Sequence, residues 1–588
     1  MEEIIASPSL NLLRNELDFT RVPFSDRGSR LLVFINPDEN NVFIRLAERL
    51  ISLEPDIEAY LRRTPFIHEL CFVNEDGEII NFEATTYPHI IYLNTKVGDF
   101  SICFQDNQTI ALGLPPQQAV FLRFHVSPQF WKVTEHGGEF KSIRNLFYDT
   151  NAEITENEII PERGGYTVLF KVRSGDDSTI TINIGNAYTP NNDVPQFSAI
   201  YESAETRWKE WFDKVPNVAA PYLRTFTYAW WVMANNLIQP QGNIVYEAMM
   251  PSKVNYVGLW LWDSAMHALA FRHVDPELAR NQIRAMLEFQ LPDGMLPDAI
   301  YDEGVISEID HPIPAEVTKP PILAWAALKL HETAPDLDFL EEIYVPLVRW
   351  NAWWFSMNDD DVDGLAQYNH PYSSGLDDNP LWDYGMPVES PDLNTYLCIQ
   401  MGSLAMIAEI LGMDSEANMW RRRSTSIVQR MIQDFWDNEK GVFQAMYNDE
   451  PIPVLTPFNL YPLWTGQLPK KLNQRLIQHL TDPSEFWGEY LIPSVARNDQ
   501  HYEPSKMWRG SIWVNINYFF IEALRQIGED DLADEITQKT LDLIMRHPGI
   551  YEYYHADNGD PSSQAAEAFG WTAAVFIDLA ISVSHLQD

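Results

Sequence analysis

The chain has 588 residues, with 45% hydrophobic and 21% charged side chains, a balance that belongs to a folded globular protein. Its length exceeds what one ordinary core supports and points to two large domains or one large domain plus a module. A formal net charge of −43 argues against nucleic acid and anionic membranes as partners, because their phosphates would be repelled; solubility is the main reading of such a charge and a functional acidic cleft the other.

Residues 1 to 200 read as short strands of a β-sandwich domain. Leu31–Ile35, Ile90–Leu93, Ala119–Phe124 and Tyr166–Val172 are β-branched and aromatic, roughly alternating, and separated by Asn, Asp, Gly and Pro. Phe43, Leu46, Ala47 and Leu50 recur at three and four and predict one helix over Phe43–Leu53. Asn186–Asp193 reads as a boundary loop.

From Ser203 the apolar period becomes helical. Helices are predicted over 203–213, 218–238, 260–273, 275–290, 317–332, 337–357, 392–412, 414–436, 470–480, 511–527, 530–546 and 564–583. Loops rich in Gly, Pro, Trp and Asp follow alternate helices. That rhythm predicts an (α/α)6 barrel over 201–588, six inner helices inside six outer ones, and a mainly α chain.

Two loops carry the chemistry. Ser374-Gly375-Leu376-Asp377-Asp378 and Tyr551-Glu552-Tyr553-Tyr554 each set a carboxylate among aromatics, Gly and Pro. Acid cleavage of a glycosidic bond needs two carboxyl groups in different environments, and aromatic walls raise a carboxyl pKa by desolvation. Asp377 and Glu552 are therefore a candidate pair. They lie 175 residues apart, and Asp378, Asp383, Glu389 and Glu567 compete with them.

Gly258-Leu259-Trp260-Leu261-Trp262-Asp263-Ser264 opens a helix. Trp260 and Trp262 suit the C–H face of a sugar and Asp263 its hydroxyls, although a cap and two core tryptophans read from the same residues. Leu291–Asp298 is turn chemistry. Lys319 stands before Pro320-Pro321, a helix-start signal, and is a candidate for the interior of that loop; a solvated lysine fits equally. Trp508 and Trp513 flank Arg509 and Gly510 at another helix start. Tryptophans with a purely structural role would scatter more evenly.

Asp359, Asp361 and Asp363, with Gly364 next, match the first half of a calcium loop, but the twelfth position is His370 rather than Glu. Structural Ca²⁺ held by these three and a distant carboxylate is one reading, and a solvated acidic turn is the other. Cys71, Cys103 and Cys398 show no metal spacing and predict buried thiols in a reducing compartment. The Met1–Ile5 start lacks a basic segment before an apolar run, and no 18-residue apolar stretch occurs. A cytoplasmic location is the expectation.

Together the motifs resemble glycoside hydrolase family 63 and, more distantly, the family 37 trehalases, over roughly residues 215–588. They occur in the order Leu-Trp-Leu-Trp-Asp-Ser, Pro-Asp-Gly-Met-Leu-Pro, Pro-Pro-x-x-Ala-Trp, Ser-Gly-Leu-Asp-Asp, Trp-Arg-Gly-x-x-Trp-x-Asn, Glu-Tyr-Tyr and Phe-Gly-Trp-Thr-Ala-Ala. The resemblance implies an (α/α)6 barrel, Asp377 as general acid and Glu552 as general base. It also implies a sugar subsite from Trp260, Trp262, Asp263 and Gly375, and cleft walls from Trp508 and Trp513. It implies inverting, exo-acting hydrolysis of an α-glycoside, an α-glucosidase above all, with no required cofactor. Lys319, Ser373 and Met507 depart from the Gln, Glu and Tyr common in that family, and Lys319 is a candidate reader of an anionic substrate group. A small saccharide or a glycosylated compatible solute is the expected substrate, with trehalose or a glucosyl- or mannosylglycerate as alternatives. A sugar phosphorylase and an inactive carbohydrate-binding protein are the rival classes.

Overall fold

The computed structural model describes residues 8–49, 63–74, 76–142, 144–185 and 193–585. The chain forms two compact units. The first comprises Met1–Val215 with Trp230–Gln239 and Ser252–Val257, and the second Pro216–Ala229, Pro240–Pro251 and Gly258–Asp588.

In the first unit, six strands pair in the order Leu31–Asn36, Asn41–Leu46, Ile67–Val73, Ala119–Val126, Gly165–Arg173 and Glu153–Glu162. Eight more pair in the order Phe82–Thr86, Ile90–Thr95, Gly98–Asp106, Thr109–Gly113, Thr179–Gly185, Asn145–Thr150, Gly137–Lys141 and Phe130–Val133. Period-two alternation makes these strands: Val120, Leu122, Phe124 and Val126 are all buried and their neighbours are not. The two sheets meet through aromatic rings. Phe72 stacks on Phe100 at 3.7 Å, and Tyr148 lies edge-on to Phe124 and Phe170. The helix Phe197–Phe212 belongs to this unit, since Ile200 and Ala204 pack on Cys103 and Ala111 of the eight-stranded sheet. The compact unit thus runs past residue 200, where the sequence places the boundary, to Val215.

The helix predicted over Phe43–Leu53 is corrected. Its first residues lie in the strand Asn41–Leu46, paired antiparallel with Leu31–Asn36, and from Leu50 the segment lies outside the described residues. Val42, Ile44 and Leu46 are the buried face, so alternation wins over the coincidental spacing of Phe43 and Leu46. The boundary loop at 186–192 also lies outside the described residues. Cys71, Cys103 and Cys398 are free and buried.

In the second unit, helices buried nearly all round form a closed succession. Leu261–Phe271 packs on Leu323–Thr333, that on Pro391–Ile410, and that on the 3₁₀ segment Pro457–Thr465. Val514–Ile527 follows, then Gly570–His585, which returns to Leu261–Phe271. Amphipathic helices cover them from outside. Asp414–Asp434 packs on Pro391–Ile410 with a buried stripe of Ala417, Trp420, Ser424, Ile427, Val428 and Met431 that recurs at three and four. Pro276–Leu287 covers Leu261–Phe271, Lys470–Leu480 covers Pro457–Thr465, and Asp530–Met545 covers Val514–Ile527. Pro457–Thr465 was not among the predicted helices because Pro457 and Pro462 break the α-helical reading. The helix expected over 317–332 starts later, at Leu323, after Pro320-Pro321. Among the described residues no helix is long and apolar enough to cross a membrane.

Candidate active site

The side chains singled out in the second unit lie in the loops between its helices or in the first turn of the helix that follows. Leu259-Trp260 pairs with Ala299-Ile300, and the helix Leu261–Phe271 follows at once. Asp263 does not cap that helix. Its first residue is flanked by Trp260, whose carbonyl accepts a bond from the Ser264 hydroxyl at 2.9 Å. Asp263 is instead 4% exposed, and burial raises its carboxyl well above the usual range. The Glu552 and Asp298 charges push it further up and Lys319 opposes them.

Lys319 is 3% exposed. Its Nζ lies 2.7 Å from the Asp298 carboxylate and donates to the Tyr372 carbonyl at 2.6 Å, and it stands 5.7 Å from the centre of the Trp260 ring. A solvated lysine is thereby ruled out. Asp298, treated as part of a turn in the sequence, is the missed residue of this cluster. It is 2% exposed, and its backbone N–H and C=O bond Ile306 and Leu261. A carboxylate within a Pro-Asp-Gly…Pro-Asp run looks like turn chemistry, and no spacing ties it to Lys319.

The Asp377 loop is built on a short 3₁₀ turn, Pro371–Ser374, ended by Gly375 at φ 73°. A Cβ at Gly375 would lie 2.4 Å from the Trp262 ring, so only glycine lets the loop pass there. Ser374 Oγ accepts from the Leu376 N–H, the Trp382 indole N–H donates to the Leu376 carbonyl, and Asn379 donates to the Trp508 carbonyl. Between these anchors the Asp377 carboxyl keeps one buried oxygen, Oδ1, with no hydrogen-bond partner among the described residues. Burial raises this carboxyl to about 7; Lys319 pulls it down, and Asp298 and Asp378 push it up.

Glu552 is 3% exposed and differently held. Its Oε2 accepts from the Ala566 N–H at 3.0 Å, and its own N–H bonds the Ala566 carbonyl. The neighbouring Tyr554 exchanges backbone bonds with Ile512. Glu552 reaches Asp263 electrostatically, as Lys319 reaches Asp263 and Asp377, so these residues share one field.

The competing carboxylates have other partners. Asp378 accepts from the Trp508 N–H at 2.8 Å, Asp383 pairs with Arg509, and Glu567 accepts from Tyr551. Trp262 packs edge-on to Trp571 at 5.1 Å. Trp508 and Trp513 stack in parallel at 3.8 Å, and Tyr553 covers the next ring position at 4.7 Å. Both tryptophans are 1% exposed. With Trp508 and Tyr553 both stacked on it, Trp513 is a support rather than a free wall, a departure from the role the resemblance implies.

Asp359, Asp361 and Asp363 do converge, each offering a carboxylate oxygen within 4.8 Å of the others. The turn is drawn in by the Gly364 and Leu365 N–H groups, which bond Asp359 and Asp363. Glu389 faces the same loop, raised to about 8 by burial and then by Asp363, Asp361, Asp449 and Asp359. Carboxylate oxygens gathered in this way are the donor type a hard divalent ion takes, and the Arg430 guanidinium also lies beside Gly364 of this turn. His370, the twelfth position, is turned elsewhere, accepting from the Tyr372 N–H and facing the His311 carbonyl.

Residues 256–572 match the family model of the mannosylglycerate hydrolase MGH1-like glycoside hydrolase domain. A mannosylglycerate hydrolase of Thermus thermophilus is 27% identical over 55% of this chain and 95% of its own length. A crystal structure of a family 63 mannosylglycerate hydrolase, also from Thermus thermophilus and in complex with glucose, superposes at a TM-score of 0.52 and 25% identity. It covers 60% of this chain and 99% of that one. A bacterial glucoamylase complexed with acarbose is similar over 96% of this chain and 95% of its own, at a TM-score of 0.60 and 11% identity, which speaks to the fold alone.

Proposed function

Because the chain belongs to glycoside hydrolase family 63, through its mannosylglycerate hydrolase MGH1-like domain, we propose that it is an exo-acting, inverting α-glycosidase of a small glycosylated solute. Glucosyl- or mannosylglycerate is the favoured substrate, in line with the relatives' activity. The observation that carries the mechanism is the contrast between two buried carboxyls. Asp377 is raised to about 7 with one oxygen unbonded, whereas Glu552 is anchored by the Ala566 N–H. A carboxyl that keeps its proton near neutrality is equipped to give it to a glycosidic oxygen. An anchored carboxylate is equipped to take one from water.

In this reading Asp377 protonates the leaving oxygen as the C–O bond breaks. Glu552 removes a proton from a water attacking the opposite face of the sugar, and the β-anomer of an α-linked glycone leaves. A carboxyl separation of about 6.5–9.5 Å is what an inverting pair requires. Trp260, Trp262 and Asp263 form the glycone subsite, with Gly375 letting the acid loop close on Trp262. The closed succession of six buried helical segments, with amphipathic helices packed outside it, supports an (α/α)6 barrel. Acid–base hydrolysis by two carboxyls needs no cofactor. Ca²⁺ at Asp359, Asp361 and Asp363 would brace the loop that precedes the acid, and a cytoplasmic location accords with buried free thiols.

Proton NMR of the anomeric region during incubation with α-mannosylglycerate, α-glucosylglycerate, α-glucosylglycerol and trehalose tests the reading. First appearance of the β-anomer of the released sugar is expected from at least one of the glycerates. First appearance of the α-anomer, or release only with added phosphate, would sink it.

A further inference from the structure

Lys319 is a buried ammonium, and burying one without a counter-charge is prohibitive. Asp298 supplies that charge at 2.7 Å, itself 2% exposed. The second contact of Nζ, the Tyr372 carbonyl at 2.6 Å, lies in the 3₁₀ turn that leads through Gly375 to Asp377. The adjacent Thr318 N–H donates to Ser373 Oγ at 3.3 Å. Two neighbouring residues thus tie down two neighbouring residues of the acid loop. Nζ also stands 5.7 Å from the centre of the Trp260 ring, inside the region assigned to the glycone.

A substrate carboxylate would have to displace partners this ammonium already has, the Asp298 carboxylate at 2.7 Å and the Tyr372 carbonyl at 2.6 Å. We propose that Lys319 is a positioning residue: paired with Asp298 and bonded to the Tyr372 carbonyl, it latches the 371–377 loop and sets the field at Asp377, and it does not read an anionic group of the substrate. The inference rests on Asp377 being the general acid.

The charged and titratable groups facing Asp377 are Lys319, Asp298, Asp378 and the Tyr372 hydroxyl. Of these only Lys319 lowers its pKa, so the direction of each change follows. Loss of the Lys319 charge makes Asp377 hold its proton to higher pH. Loss of the Asp298 charge afterwards brings it partly back.

The experiment uses the full chain as wild type, Lys319→Gln, the double variant Lys319→Gln/Asp298→Asn, and Asp377→Asn. Protonation of Asp377 is read without substrate, as the carboxyl band in pH-difference infrared spectra that Asp377→Asn removes. KM is measured in parallel for α-glucosylglycerate and for its neutral counterpart α-glucosylglycerol. Lys319→Gln should move the Asp377 titration up by about 1 pH unit, the size of a nearby opposite charge, and the double variant should reverse part of that shift. The ratio of the two KM values should stay within about threefold of wild type, since uniform binding is untouched. An unmoved titration would overturn the proposal. So would a rise of about tenfold in KM for α-glucosylglycerate alone, which is what loss of a carboxylate contact produces. Should the single variant not fold, the double variant leaves no unpaired buried charge and its KM ratio decides. Full activity of Asp377→Asn would remove the acid assignment instead, a failure separable from that of the latch.

Discussion

Gly375 and Trp262 are in such close contact that a single added methyl group would lie 2.4 Å from the indole ring. The backbone there is left-handed, at φ 73°, so two independent constraints select glycine. Gly375→Ala is expected to cost about 1–2 kcal/mol for the backbone alone. The displaced loop carries Asp377, and a shift of about 1 Å in a catalytic group can cost about 10²-fold in rate. Thermal melts and kcat on the same preparation check both, and a variant with wild-type kcat would show that the loop does not depend on this contact.

The two carboxyls should fail separately. Asp377→Asn and Glu552→Gln are each expected to lower kcat/KM by about 10²–10⁴-fold, the usual worth of a positioned acid or base. Asp378→Asn is the control. Asp378 accepts from the Trp508 N–H and reaches Asp377 only through its charge, so its loss should cost far less in rate than either substitution. Initial rates on one glycoside for all three variants decide the matter.

Stability and activity should part company with pH. The Asp377 carboxyl is raised in the folded chain to about 7 from an ordinary 3.8. Between those values the native state holds a proton that the unfolded chain has released, so the group loses stability as pH rises through this window. The loss is complete above about pH 7 and amounts to at most about 4 kcal/mol. Asp377→Asn should therefore melt higher than wild type at pH 8 and alongside it at pH 3.5, while losing activity at both. Calorimetric melts across that range measure it, and a difference that grows toward acid would contradict the sign.

The acidic turn makes its own test. If Asp359, Asp361 and Asp363 hold Ca²⁺, adding the ion at about 100 times Kd should stabilise the fold by about 2.7 kcal/mol. Chelation should reverse the gain, and Asp361→Asn should abolish it. Melting temperature with and without Ca²⁺ is the readout, and no difference between the two would leave a solvated turn.

Much of this was readable in the residues. Outer helices such as Asp414–Asp434 announce themselves because apolar residues at three and four must face one partner, and strands such as Ala119–Val126 because alternate residues must. The Phe43–Leu53 helix was misread because Phe43 and Leu46 satisfy helical spacing while Val42, Ile44 and Leu46 satisfy the strand's, and only the partner strand Leu31–Asn36 chooses. Pro457–Thr465 escaped because two prolines hide a segment that packing on Pro391–Ile410 and Val514–Ile527 maintains.

At the site, the aromatic, glycine and proline company of Asp377 and Glu552 marked them as candidates, because those residue types are local and visible. Asp298 beside Lys319 was not visible, since its sequence context is that of an ordinary turn. Nor was the burial of Trp513 against Trp508 and Tyr553, which a list of tryptophans cannot distinguish from an open sugar platform.

The order of residues therefore settled which groups could do chemistry and what periods the chain would fold with, since both depend on neighbours along the backbone. Which carboxyl keeps its proton was settled by folding. Desolvation and Coulomb fields act over a few ångströms in space, and Asp377 owes its proton near neutrality to burial balanced against Lys319, a residue 58 positions away in the chain.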